Sequence, residues 1–243
     1  MAIADRRQRE KEQRRTEILD TAERLFFSRG YDDVSMDEIA NEVELNKATI
    51  YLYFRNKEAL LSEVVLRGLT ILLRKYTECG ETQVPGLTKV LLMGKAYYRF
   101  TREHPDYERM IRYYGIERFS EDNPCSAEIQ TVFNKSRTIL KDAIQAGIDD
   151  GTIRGDIHPL KMSLYLMISL MGIMAHEHKW DRVIEADGIS HDEFVLDFFR
   201  FLMPAISSGE KPHTISLNEA GGPFGSLFFS VEPVVVDPKK KKK

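Results

Sequence analysis

The stretch SMDEIANEVELNKATIYLYF, residues 35–54, determines how the rest of the chain is interpreted. Ser35 and Glu38 stand three residues apart in a capping-box pattern, which predicts the start of one helix. Asn46 is also a residue type that caps helix N-termini, and it predicts a second start eleven residues later. The first helix must therefore end near Val43 and turn tightly. This is the layout of a helix-turn-helix, whose second helix enters the major groove of DNA.

Residues 49–58, TIYLYFRNKE, closely resemble the signature of the TetR family of one-component repressors. An amphipathic segment upstream, residues 18–30, resembles the family's first helix and extends the likeness to about fifty residues. Two positions depart from the family's pattern, because Glu44 and Ala48 stand where glycine is common. If Glu44 must adopt a positive φ, the strain costs about 1 kcal/mol.

The resemblance implies an all-α protein of about nine helices, with an N-terminal helix-turn-helix head on a helical body. The predicted divisions are residues 1–57 for an arm and the DNA-binding head, 58–207 for an effector-binding and dimerisation body, and 208–243 for a C-terminal extension. For that extension, disorder and a docked strand or hairpin are both open. The resemblance further implies a long helix beginning at Lys57 that connects head and body.

Helical spacing divides the predicted recognition helix, residues 47–53, into two faces. Ile50 and Phe54 are four residues apart and are predicted to face the core. The residues predicted to bind DNA are Ser35, Lys47, Ala48, Thr49, Tyr51, Leu52, Tyr53 and Lys57. Lys47 is the only charged side chain of this helix and is the candidate for reading guanine, with a phosphate contact or a solvated lysine as the alternative.

The family resemblance assigns phosphate contacts to the positions of Thr49, Tyr51 and Lys57. Hydroxyl groups and an ammonium at a helix N-terminus suit that chemistry, which positions a protein without reading sequence. Core packing remains an alternative for Tyr51. Residues 1–15 add six basic side chains against three acidic ones and are predicted to be a DNA-contacting arm, with a solvated, frayed terminus as the alternative.

The last two predicted body helices, about 159–181 and 190–206, carry apolar residues on nearly every face. A helix of this kind must be buried on both sides, which one small core cannot provide. A homodimer formed through these two helices is the predicted arrangement, and it matches the four-helix bundle that the family resemblance implies.

A small-molecule effector is the other predicted partner. Methionine and aromatic side chains in the body can adapt to an apolar ligand, although at such spacing most would also serve as ordinary core. The predicted lining residues are Leu69, Leu73, Tyr97, Tyr114, Phe133, Arg137, Met167 and Met171.

Other functional classes find little support in the sequence. Cys79 and Cys125 lack zinc or redox spacing, and His176 and His178 are two residues apart rather than the four of a helical metal pair. There is no cofactor motif and no nucleophile with an evident base, so an enzyme is not expected. The N-terminus lacks a secretory apolar segment, and the longest apolar run is too short to span a bilayer, which predicts a cytoplasmic protein without membrane contact.

We therefore expect a homodimeric repressor that leaves a palindromic operator when a small apolar or amphipathic ligand binds. A ligand-independent DNA binder, an activator, and a helical interaction module that has lost DNA binding are the alternatives. The departures at Glu44 and Ala48 keep the last of these open.

Overall fold

The computed structural model of the protein describes residues 2–114, 126–174 and 178–209. These residues form ten α-helices, which confirms the prediction of an all-α fold with about nine helices: α1 Ala2–Arg29, α2 Met36–Glu42, α3 Lys47–Tyr53, α4 Lys57–Glu81, α5 Gly86–Glu103, α6 Pro105–Tyr114, α7 Ser126–Asp149, α8 Pro159–Met174, α9 His178–Ala186 and α10 His191–Ile206. The described ranges contain no sheet, only an isolated antiparallel bridge between Ile153 and Ser207.

The first helix includes the residues that are predicted to be a DNA-contacting arm. α1 begins at Ala2, so residues 2–15 are helical, and their contact with DNA remains a prediction. They include no glycine or proline and are rich in strong helix formers. Pairs four residues apart add support, as between Arg6 Nε and Glu10 Oε1 at 2.8 Å.

Some predictions fall on residues outside the described ranges. The helix predicted over 159–181 is found as α8 and α9, with residues 175–177 outside the described residues. His176 and Cys125 also lie outside them. The same holds for residues 210–243 of the C-terminal extension.

The chain groups into two compact units, of which the first comprises Met1–Leu73 and Phe100–Lys135. Its core contains side chains that are completely buried on each of its first four helices, namely Ile18, Phe26, Ile39, Ile50 and Leu60. Arg67 of α4 forms ion pairs with α1, because its Nη1 lies 2.7 Å from Asp20 Oδ1 and 3.0 Å from Glu23 Oε2. α1 and α4 are thereby linked within the unit that also contains α2 and α3.

The second unit comprises Arg74–Arg99 and Ser136–Lys243. The start of α5 touches the end of α7 through backbone, since a Cβ built on Gly86 would lie 2.0 Å from Gly147 N. Gly86 N also donates to Asp150 Oδ2 at 2.7 Å. These units are defined by contacts between residues. The predicted functional divisions at residues 57 and 207 are not tested by them and remain predictions. Within the described ranges no helix has both the length and the apolar character needed to cross a membrane.

Candidate DNA-binding interface

Two caps position α2 and α3, as the sequence predicts. Ser35 Oγ accepts from Glu38 N at 3.2 Å, and the Glu38 carboxylate accepts from Ser35 N at 2.8 Å, which completes the capping box. Asn46 Oδ1 accepts from Thr49 N at 2.8 Å and caps α3. Ser35, a predicted DNA contact, thus has its hydroxyl engaged in the cap. The Arg29 guanidinium and the Ser35 groups hold the pKa of Glu38 down to about 2.

The turn between α2 and α3 depends on one residue in a left-handed conformation. Glu44 has φ +54° and is the only non-glycine residue with positive φ among those described. Glu44 N donates to Asn41 O at 3.2 Å and Leu45 N donates to Ala40 O at 2.9 Å. These two bonds satisfy the last carbonyls of α2 in the manner of a Schellman motif, at a position that glycine favours. The chain therefore forms this left-handed turn without a glycine.

α3 has a buried side and an open side. Ile50 is completely buried and Phe54 is 2% exposed, as predicted for the core face. On the open side Leu52 is 80% exposed and Tyr51 is 44% exposed. Lys47 and Ala48 are also exposed, whereas Thr49 and Tyr53 are half-buried. An exposed leucine lies beside an exposed tyrosine on this seven-residue helix, and exposure of apolar surface to water is unfavourable. Such a surface indicates a site that contacts a partner.

Predicted DNA-binding residues from three elements line one concave surface, which encloses a volume of about 450 Å³. These residues are Ser35, Lys47, Tyr51 and Lys57. The same surface holds four acidic side chains, of which the sequence indicated only Glu38, as a helix cap: Asp32, Asp33, Asp37 and Glu38. A capping box and an acidic turn were visible in the sequence. Their placement beside the two lysines depends on the angle between α2 and α3.

Lys47 is held by an ion pair. Its Nζ donates to Asp37 Oδ2 at 2.8 Å, with side-chain exposures of 59% for the lysine and 57% for the aspartate. The hydrogen bond that Lys47 donates to Asp37 raises the pKa of Lys47, and the charge of Asp37 acts in the same direction. The ammonium is therefore fixed as a cation at the first position of α3, close to the predicted base-reading location.

Lys57 is also engaged within unit 1. Its Nζ donates to Tyr31 O at 2.8 Å and to Asp32 O at 3.4 Å, and it lies 4.2 Å from the centroid of the Tyr31 ring. The lysine predicted to contact phosphate thus also ties the start of α4 to the turn that follows α1. Its phosphate role remains a prediction.

Basic side chains of α1 form a stripe ahead of the core. Arg7 and Lys11, which are exposed, and Arg14, which is half-buried, fall at helical spacing, in line with the buried Ile18 further along the same face. Arg14 is paired with Glu17 at 2.6 Å. Arg15 lies 4.7 Å above the ring of Phe54, which places the root of this stripe beside the end of α3.

The predicted effector-lining residues divide between the two units. Leu69, Leu73, Tyr114 and Phe133 belong to unit 1, and Tyr97, Arg137, Met167 and Met171 belong to unit 2. Leu69 and Tyr97 are buried. The side chain of Tyr114 lies outside the description, and the others are half-buried. Their role remains a prediction. Within the described residues no three His, Cys, Asp or Glu side chains are grouped as metal ligands would be.

Comparisons with known proteins agree with this geometry. Residues 18–64 match the family described as bacterial regulatory proteins, tetR family. The HTH-type transcriptional repressor KstR2 of Mycolicibacterium smegmatis is 26% identical over 144 residues, which cover 59% of this chain and 69% of that protein.

Two solved structures share the fold. KstR2 of Mycobacterium tuberculosis superposes with a TM-score of 0.60 at 16% identity, over 80% of this chain and 95% of that one. AibR, solved in complex with isovaleryl coenzyme A and operator DNA, superposes with a TM-score of 0.59 at 20% identity, over 79% and 98%. The KstR2 proteins are regulators of transcription, and AibR was solved bound to operator DNA. Residues 18–64 thus match the DNA-binding domain of tetR-family bacterial regulatory proteins, and the described residues share the fold of solved regulators of that family.

Proposed function

We propose that the protein is a homodimeric repressor that binds a palindromic operator through α3 and leaves it when a small apolar or amphipathic ligand binds. The observation that carries the DNA-binding part is the open face of α3, where Leu52 is 80% exposed and Lys47 is exposed at the N-terminal end. An apolar side chain there can contact the methyl group of thymine, and a lysine can donate to guanine O6 or N7.

Phosphate contacts support the same surface. The proposed phosphate contacts near the groove are Thr49 and Tyr51 of α3 and Lys57 of α4. Arg7 and Lys11 of α1 are proposed to contact phosphates further from the groove. Each phosphate neutralised by a cation releases counterions, so binding weakens steeply with salt. These contacts fix the register of α3 in the groove, while Lys47 supplies base discrimination.

A second copy of the chain is the proposed cover for α8 and α10. Tyr165 and Ile168 of α8 are 62% and 69% exposed, and Phe201 of α10 is 78% exposed. Several large exposed apolar side chains on two helices of one unit are a reason to propose a protein interface. A twofold dimer would present two α3 helices to successive major grooves, about 34–36 Å apart.

Ligand control is proposed from the fold's relatives and from the composition of the body. AibR was solved with isovaleryl coenzyme A and with operator DNA, so this fold accommodates both in one protein. For this chain, we propose a ligand that binds among residues such as Tyr97, Phe133 and Met167. It must prefer a conformation in which the two DNA-binding heads of the dimer are wrongly spaced for the operator, because a ligand with equal affinity for both conformations leaves their equilibrium unchanged. A coupling of about 1–3 kcal/mol would weaken operator binding about 5- to 150-fold.

The test is fluorescence anisotropy on DNA from upstream of the protein's own gene, with a salt titration and with a panel of apolar and amphipathic compounds. Light scattering gives the mass of the protein in the same buffer. We expect a dimer, steep salt dependence, and loss of binding with at least one compound. Binding that no compound weakens or thermally stabilises would indicate a ligand-independent binder. A dimer without DNA affinity would indicate an interaction module.

A further inference from the structure

We propose that Asp37 is a specificity-determining residue: together with Lys47 it reads one G·C base pair, the lysine contacting the guanine and the aspartate accepting from the cytosine amino group. The inference rests on the proposed function, since it requires α3 to enter the major groove. It adds a residue of α2 to the base-reading set and fixes the orientation of the base pair that this set prefers.

The geometry of the pair matches that of its target. Lys47 Nζ and Asp37 Oδ2 are 2.8 Å apart, and both side chains are more than half exposed on the concave surface that also contains Tyr51. In a G·C pair the guanine O6 and cytosine N4 are joined by a hydrogen bond of similar length, about 2.9 Å. Nζ can therefore lie over O6 while Oδ2 lies over N4, with the ion pair intact.

The donors and acceptors of this arrangement balance. An ammonium has three donors, so one can stay with Asp37 while two reach guanine O6 and N7. The cytosine N4 amino group has two hydrogens, one of which pairs with guanine and one of which points into the major groove. An ionised carboxylate only accepts, so Asp37 takes that outward hydrogen. All four polar groups are then satisfied at once.

The same chemistry rejects other base pairs. A reversed C·G pair would set the carboxylate against O6 and the ammonium against an amino group. An A·T pair in place of G·C would set the carboxylate against thymine O4, which is an acceptor. Because Asp37 also repels phosphates, it lowers the affinity for all DNA, and its hydrogen bond to cytosine offsets part of that loss only at the correct base pair. A repulsive contact against the wrong base pairs thus produces selectivity.

A purely structural role for Asp37 makes a different prediction. Asp37 lies in the first turn of α2, where a negative side chain interacts favourably with the helix dipole. Exposed ion pairs contribute little to stability, so the pair is not needed to hold α2 against α3. If Asp37 served only the helix, its removal would lower the melting temperature and leave base preferences unchanged.

The test is selection of binding sites from a randomised duplex library by four proteins: the native chain, Asp37→Asn, Asp33→Asn and Lys47→Ala. Asp33 is the matched control, because it is exposed on the same concave surface and its replacement removes the same charge. We expect Asp37→Asn and Lys47→Ala to relax the same base pair in each half-site, by about fivefold or more. Asp33→Asn should leave the preference at that pair unchanged. Circular dichroism confirms that each variant is folded.

A second measurement identifies the atom. Replacing the cytosine of the selected pair by N4-methylcytosine removes the outward hydrogen, and it should weaken the native chain about fivefold more than Asp37→Ala.

The outcomes separate the two proposals. If the native chain selects a palindrome but Asp37→Asn shows the same preferences, or relaxes a pair that Lys47→Ala does not, the role of Asp37 is refuted and the proposed function stands. If the native chain selects no sequence, both are refuted. Equal relaxation by Asp33→Asn would reduce the effect to general electrostatics and would also overturn the assignment.

Discussion

Replacing Glu44 by glycine should stabilise the protein. Glu44 has φ +54° at the end of α2, where the backbone N–H groups of Glu44 and Leu45 return to the carbonyls of Asn41 and Ala40. The turn thus requires the left-handed conformation whatever residue is present. The Glu44 side chain is exposed, so its removal deletes no packing.

The magnitude follows from two opposing contributions. A residue with a Cβ in the left-handed region carries a cost of about 1–2 kcal/mol, which glycine does not have. Glycine increases the freedom of the unfolded chain, which lowers stability by about 0.4–1 kcal/mol. The difference is a net stabilisation of about 0.5–1 kcal/mol, the size expected for relief of one strained residue. In a chain of this length that corresponds to a rise in Tm of about 1–4 °C.

The assay is urea and thermal unfolding at one fixed protein concentration, because dimerisation would make apparent stability depend on concentration. Glu44→Ala is the matched control, since it removes the same carboxylate and keeps the Cβ. It should give no gain, and Glu44→Asn should fall between the two because asparagine tolerates the left-handed region. If glycine gave no more stability than alanine, the strain argument would be refuted and the charge would be the cause.

Three further predictions concern other parts of the chain. The pKa of Glu38 is lowered from 4.5 to about 2 in the folded protein, so its stabilising effect is present above about pH 4.5 and is lost as pH falls towards 2; the Tm difference between the native chain and Glu38→Gln should shrink over that range. Lys57→Met loses hydrogen bonds to two backbone carbonyls and should lower the free energy of unfolding by about 1–2 kcal/mol, as well as weakening every DNA sequence alike; unchanged unfolding in urea would contradict the first part. Ile168→Glu and Phe201→Glu should each give a folded monomer by light scattering, whereas Leu52→Glu, equally exposed on α3, should remain dimeric; a dimer in all three would place the interface elsewhere.

Local signals in the sequence were sufficient for α2 and α3. Ser35 and Asn46 cap their helices through bonds to residues three positions away, and such short-range chemistry is legible in a sequence. Helical spacing likewise gave the buried side of α3. The sequence analysis considered only the charge of residues 1–15, and it did not use their strong helix formers, which agree with the observed start of α1 at Ala2.

Long-range pairs could not be obtained in this way. Lys47 and Asp37 are ten residues apart on two helices, and their approach depends on the crossing of α2 and α3. The bond from Lys57 to Tyr31 O spans 26 residues and depends on where α4 begins relative to the end of α1. Periodicity gives the face on which a side chain lies and leaves its partner across the interface undetermined.

These two long-range contacts change how the DNA surface should work. A lysine loses up to about 2 kcal/mol of side-chain entropy when it is immobilised. Lys47 and Lys57 are already held in the unbound protein, by a carboxylate and by carbonyl groups respectively, and each ammonium retains donors for a further partner. Their ordering cost is therefore largely met before DNA arrives, which favours affinity. The exposed Arg7 and Lys11 of α1 precede the core on a separate stretch of helix and suit phosphate contacts independent of sequence. Selectivity should accordingly depend on Lys47, the proposed base contact, and most of the salt dependence on α1, because counterion release follows the number of phosphates neutralised.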